Sequence, residues 1–131
     1  MIGLDTNVLL RYLTRDDPVQ FSAAVRVIEE QLSVQERGFV STIVLAELAW
    51  VLRRTYRWPA SRVAEIMERL LNSDALVIEQ PDEVSEAIAA VRDGRGDFAD
   101  ALIGAVAGRA GCSHILTFDR DALRLPGFAP V

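Results

Sequence analysis

Short apolar runs alternate along this chain with longer stretches in which apolar residues return every third or fourth position, the pattern of a wound α/β sheet rather than a sandwich or a helical bundle. Residues 1 to 5 predict a buried first strand, and Asn7 to Thr14 a short helix. Asp17-Pro18 opens a longer helix through about Gln35, with Asp17 as N-cap, Pro18 at the first helical position and Gln20 completing the capping pattern. Gly38 to Ser41 predicts a second strand and Thr42 to about Arg57 a helix. Trp58-Pro59 breaks that helix before another from Ala60 to Asn72. Ala75 to Glu79 is the third strand. Asp82 is expected to cap a helix ending near Gly94, and residues 97 to 110 form one more that stops at Gly111. His114 to Phe118 is the fourth strand, and the tail from Asp121 to Val131 holds a turn of helix and a short edge strand, limited by Pro126 and Pro130.

Four carboxylates interrupt this apolar pattern: Asp5 in IGLDTNVLL, Glu47 in TIVLAELAWVL, Asp100 in DFADALIGAVAG and Asp119 in HILTFD. Their apolar flanks predict burial, and a buried acid needs a partner, because desolvating an unpaired carboxylate costs several kcal/mol, on the order of the whole stability of a domain. The frame brings them together. Asp5 and Asp119 end strands, while Glu47 and Asp100 fall in the first turns of helices that begin at the same carboxyl edge of a parallel sheet, where functional groups gather. Helix N-termini also favour negative charge there. The competing reading pairs Glu47 or Asp100 with Arg53 or Arg109, and gives Asp97 and Asp121 ordinary helix-capping work.

Composition narrows the chemistry. At 131 residues, half hydrophobic and a quarter charged, the chain fits a single domain over residues 1–131 with one core. No apolar run approaches membrane-spanning length and no secretory signal opens the sequence, so a cytoplasmic protein that makes no membrane contact is expected. The single cysteine, Cys112, excludes an internal disulfide and a cysteine zinc site and is expected to be a small core residue. An Asp/Glu set with one distant histidine is a hard oxygen ligand set that selects Mg²⁺ or Mn²⁺, and those ions serve phosphodiester hydrolysis. Net charge of −5 argues against a nucleic-acid partner until the metal is counted, and all 14 basic residues are arginine, which reads either as forks that grip phosphate or as a genome that encodes arginine in preference to lysine. Trp50, Arg53, Arg54, Tyr56, Arg57 and Trp58 form one basic and aromatic cluster, either an RNA contact or a core face beside a solvated one.

Asp5-Thr6-Asn7 after the first strand, Glu47 in LAEL, Asp100 in DFADALI and LTFD at Asp119 resemble, in order and across essentially the whole chain, the four acidic motifs of PIN-domain ribonucleases, in particular the VapC toxins of type II toxin–antitoxin pairs. The resemblance implies a three-layer α/β fold with a central, mainly parallel sheet of four to five strands flanked by helices. It implies a metal-dependent endoribonuclease that inhibits translation, with Asp5, Glu47, Asp100 and Asp119 as catalytic and metal-holding residues. Thr6 or Asn7 would orient the first acid, and Asp97 and Asp121 are ambiguous additions. The implied cofactor is Mg²⁺ or Mn²⁺. The implied partners are a cognate antitoxin, an RNA substrate (tRNA, rRNA or mRNA) and a second copy of the chain, with the helices around residues 20 to 32 and 60 to 71 as the partner surface. A non-catalytic PIN-fold binding module and a DNA-directed nuclease remain the alternatives. Receiver domains and haloacid-dehalogenase-like phosphatases share the outline but use a lysine, and this chain has none; the phosphatase pattern would also need an acid at Asn7.

Overall fold

A computed structural model describes residues 1–131. Five short strands and six helices follow one another in the expected order. Strand β1 (Ile2–Gly3) leads into α1 (Thr6–Thr14) and α2 (Pro18–Val25), and β2 (Gly38–Val40) into α3 (Thr42–Arg54) and α4 (Ala60–Leu71). Then come β3 (Leu76–Ile78), α5 (Pro81–Arg92), α6 (Phe98–Arg109), β4 (Ile115–Thr117), a turn of 3-10 helix (Ala122–Arg124) and β5 (Phe128–Pro130). Every pairing is parallel. The strands, however, form two groups: β1-β2-β3, in register Ile2↔Gly38 and Gly38↔Leu76, and a separate pair β4-β5, in register Ile115↔Phe128. The single sheet of four to five strands is thus divided. At two residues, β1 offers too short an edge to fasten another strand.

Helix starts and ends follow local chemistry. The Asp17 carboxylate accepts from the Gln20 amide, with Pro18 at the first helical position, as expected. Beyond Val25 the helix loosens into π-type bonding over Arg26–Gln31, closed by Leu32 N donating to the Val27 carbonyl at 2.9 Å, so it ends short of Gln35. Gln80, not Asp82, occupies the N-cap of α5, because Pro81 is already preset for the first helical position; Asp82 lies in the first turn.

Leu45, Leu48, Ala49 and Leu52 repeat at i, i+3, i+4 and i+7 and bury one stripe of α3 against α6, α1 and α4 in a core of 22 residues. Phe98, Ala101 and Leu102 of α6, Val84, Ala87 and Ile88 of α5, and Val63, Ala64 and Met67 of α4 complete it. Fully burying one such leucine contributes about 1.5–3 kcal/mol. This packing fixes α3 beside α6 and so sets the distance between their acidic residues. Cys112 lies outside the core and is exposed, a correction to its expected place: the chain turns outward at Gly111, where φ is +95°. No helix is long and apolar enough to cross a membrane.

Candidate active site

Burial of the four acids is where sequence and structure part. Asp5, Glu47 and Asp119 are exposed and Asp100 is half-buried. For Glu47 the reason is angular: two residues beyond Leu45, it stands about 200° round the helix from it, opposite the buried stripe. The one buried carboxylate is Glu83 of α5, which sequence reasoning did not single out; the Arg109 Nε donates to it at 2.8 Å. Arg109 also reaches Asp82 at 3.6 Å, so it neutralises α5 and neither Glu47 nor Asp100. Glu83 is an ordinary paired acid of the fold.

The remaining acids divide by partner. Asp97 stands at the N-cap position of α6 but makes no capping bond; instead it accepts from Arg53 Nε at 3.0 Å, while Arg53 Nη1 donates to the Trp58 carbonyl at 3.1 Å. Asp121 likewise caps nothing and pairs with Arg124 at 3.2 Å. The Asp119 Oδ1 accepts the Asp121 amide at 2.9 Å, and the Asp119 amide donates to Thr117 Oγ1 at 3.0 Å, a tight turn that fixes the backbone after β4. Asp5, Glu47 and Asp100 have neither an arginine nor a hydrogen-bond donor.

A cleft of about 250 Å³ opens between α3, the start of α6 and the end of β4, lined by Trp50, Arg53, Arg54, Asp97, Asp100 and Asp119 among others. Burial, then the charges of Asp119, Asp97 and Asp121, push the Asp100 carboxyl above the ordinary carboxylate range. The structure therefore brings Asp97, Asp119 and Asp121 into electrostatic reach of Asp100. Asp5, at the end of β1, and Glu47, in the second turn of α3, belong to the carboxyl edge of the β1-β2-β3 group and do not line this cleft. No three Asp, Glu, His or Cys side chains stand close enough to hold one ion together. His114 has only its neighbour Ser113, at 2.9 Å.

Two observations bear on whether a divalent cation suits these residues. Asp100 is raised by burial and then by like charges, and a cation would offset both. Thr6, next to Asp5, is 4 % exposed, and its Oγ1 is the one buried side-chain oxygen or nitrogen without a hydrogen-bond partner. Such an orphan costs about 1–3 kcal/mol and calls for an explanation. A hard-oxygen set with an unspent hydroxyl beside one acid fits Mg²⁺ or Mn²⁺ in donor chemistry.

The PIN domain model matches residues 2–127. The chain belongs to the PIN-domain family. A VapC ribonuclease of Aquifex aeolicus (strain VF5) is 30% identical over 128 residues, covering 98% of this chain and 93% of that protein. The PIN assignment agrees with the α/β architecture and its parallel strands.

Proposed function

We propose that this PIN domain is a metal-dependent endoribonuclease, the toxin of a type II pair that inhibits translation. The observation that carries the reading is Asp100: half-buried in the cleft, without a donor, its carboxyl raised by that burial and then by three neighbouring acids. The full-length likeness to a VapC ribonuclease supports the same reaction. Asp5, Glu47, Asp100 and Asp119 would hold Mg²⁺ or Mn²⁺, with Thr6 orienting Asp5. Asn7, exposed on α1 two residues after Asp5, is the second candidate for that role. Asp97 and Asp121 are already offset by Arg53 and Arg124, which favours the other four as ligands. When bound, the cation supplies Lewis acidity at the scissile phosphate and an acidified water for in-line attack. The chain's own part is to leave the oxygens of Asp5, Glu47 and Asp100 without donors of their own, to keep Asp100 partly out of water, and to anchor Asp119 through its turn.

The groove of about 280 Å³ formed by Leu9, Leu13, Ile28, Leu32, Ile66 and Leu70 joins the two helical segments expected to receive an antitoxin, and supports that partner. Self-association and a cytoplasmic site of action complete the proposal. The separation of Asp5 and Glu47 from the cleft favours a second reading, a PIN module that binds RNA without cutting it.

Cleavage of structured cellular RNA by antitoxin-free protein distinguishes the two. Mn²⁺- or Mg²⁺-dependent cuts at defined positions, absent with chelator and in Asp100→Asn, establish the nuclease. RNA binding with no cleavage in either cation establishes the binding module, and cleavage of DNA in preference to RNA redirects the substrate.

A further inference from the structure

The cleft beside Asp100 has two unlike walls. One is acidic, built by Asp97, Asp100 and Asp119. The other, on α3, is cationic and aromatic, built by Trp50, Arg53 and Arg54. Trp50 and Arg54 are four residues apart on one helix face, and the Arg54 guanidinium carbon lies 5.3 Å from the Trp50 ring centre. Glu47 lies three residues before Trp50, so Glu47, Trp50 and Arg54 make a solvent-facing stripe opposite the buried one.

The two tryptophans of the chain differ in a way that packing does not require. Trp58 is 9% exposed, belongs to the core and is covered by Arg62 at 3.6 Å. Trp50 is 54% exposed, a large aromatic surface left in water at the mouth of a charged cleft. Arg54 pairs with no carboxylate. Arg53 is held by Asp97 through Nε and by the Trp58 carbonyl through Nη1, which leaves Nη2 without a partner and the fork rigid. A planar group for Trp50, an anion for two arginines and a cation-seeking acid wall opposite together describe one ligand chemistry: a nucleotide.

We propose that this cleft seats an unpaired nucleotide of the RNA next to the cut, its base stacked on Trp50 and its phosphate held on the α3 wall by Arg54 and Arg53, away from the acids. The inference rests on the ribonuclease reading and adds to it where the strand lies and which residues orient it. A stacked base is sequence-tolerant, because every base has a π-face, and it requires single-stranded RNA, because in a duplex that face is covered. The α3 wall is therefore a selector of unpaired segments within a folded RNA. Trp50, Arg53 and Arg54 act as positioning residues.

The test separates binding from cutting. A short, mixed-sequence single-stranded RNA and its duplex are titrated into the protein in excess chelator, with tryptophan emission and the anisotropy of end-labelled RNA recorded together. Single-stranded RNA is expected to quench emission and the duplex to leave it unchanged. Trp50→Phe should lose the quench while keeping its affinity by anisotropy, and Trp50→Ala should bind about 5- to 150-fold more weakly, the range that loss of one base stack gives. Arg54→Ala should weaken binding and flatten its salt dependence. In Mn²⁺, Trp50→Ala should raise KM and leave kcat near that of wild type. A quench that survives in Trp50→Phe, or a Trp50→Ala protein with unchanged affinity and KM while wild type still cleaves, overturns the nucleotide seat and leaves the nuclease standing. A wild-type protein that neither binds nor cleaves RNA overturns both.

Discussion

Two acids of this chain receive opposite treatment. At the corner between α1 and α2, Asp16 is exposed yet surrounded by donors: Arg11 Nη1 at 3.0 Å, Thr14 Oγ1 at 2.9 Å and the Tyr56 hydroxyl at 2.5 Å. The Tyr56 bond, then that from Thr14, holds its carboxyl below the usual range. In the α3–α6 cleft, Asp100 is half-buried, has no donor and is raised. Stability alone would reverse the assignment, since the acid that loses water is the one that needs hydrogen bonds. Where donors converge on a carboxylate it is a joint of the fold, here tying the α1–α2 corner to the end of α3. Where they are withheld at a cleft, the carboxylate is kept for chemistry.

The sharpest way to break that contrast is Asp100→Asn. Cleavage should fall by more than the roughly 10- to 100-fold that loss of an outer partner of a metal ligand costs. Stability should move the other way. A folded-state pKa raised above the unfolded value means that the ionised form is disfavoured by folding, a penalty present above the folded pKa and relieved as pH falls through it. In chelator at neutral pH the variant should therefore melt at or above the wild-type temperature, and the difference should close as pH enters the carboxylate range. Calorimetric melts over that pH range decide it, and a variant less stable at neutral pH would make Asp100 a structural acid like Asp16.

Thr6→Val applies the same logic to a neutral group. Its buried hydroxyl has no partner, so an isosteric replacement should stabilise the apoprotein, by about 1 kcal/mol. If Thr6 orients Asp5, Mn²⁺ affinity measured by calorimetry should fall about 10- to 100-fold. Gain of stability without loss of affinity would leave Thr6 a packing residue. Asp97→Asn should do less than either. Its pair with Arg53 is about two-fifths exposed on both sides, and such pairs contribute about 0.2–1 kcal/mol. Cleavage should fall only as far as Arg53 loses its aim, read as a rise in KM.

The motifs carried the family and the element order because they depend on local chemistry: Pro18 after Asp17, Pro59 after Trp58 and the apolar periods of α3 and α4 leave few alternatives. Burial of the acids was misjudged because flanking apolar residues say nothing of angle. Around Glu47 the leucines take one side of α3 and the acid the other, which a helical wheel of residues 42–54 would have revealed. Glu83 escaped notice for the converse reason, since its flanks PDEVSE look solvated and its burial comes from α6 lying across it. The division of the strands into two groups depends on edge length and contacts distant in sequence, and no local signal carries it. Asp97 and Asp121 resembled caps by position; the arginine of Asp97 comes from α3, distant in sequence, while that of Asp121 stands three residues on and was open to a local reading.

The smallest expected effect tests the other half of the comparison. Tyr56→Phe removes the largest cause of the lowered Asp16 pKa. A carboxyl whose folded pKa is depressed adds stability above its unfolded pKa and loses it as pH falls through the folded one. The variant should thus melt slightly below wild type at neutral pH, by on the order of a degree or two, since the site is exposed and screened. The two melting curves should converge toward strong acid, where Asp16 is neutral in both proteins. Cleavage should not change, because the bond lies at a corner of the scaffold and not in the cleft. A Tyr56→Phe protein that kept its melting temperature but lost activity would show that donors mark a working acid here as well, and the distinction between joint and reactive carboxylate would fail.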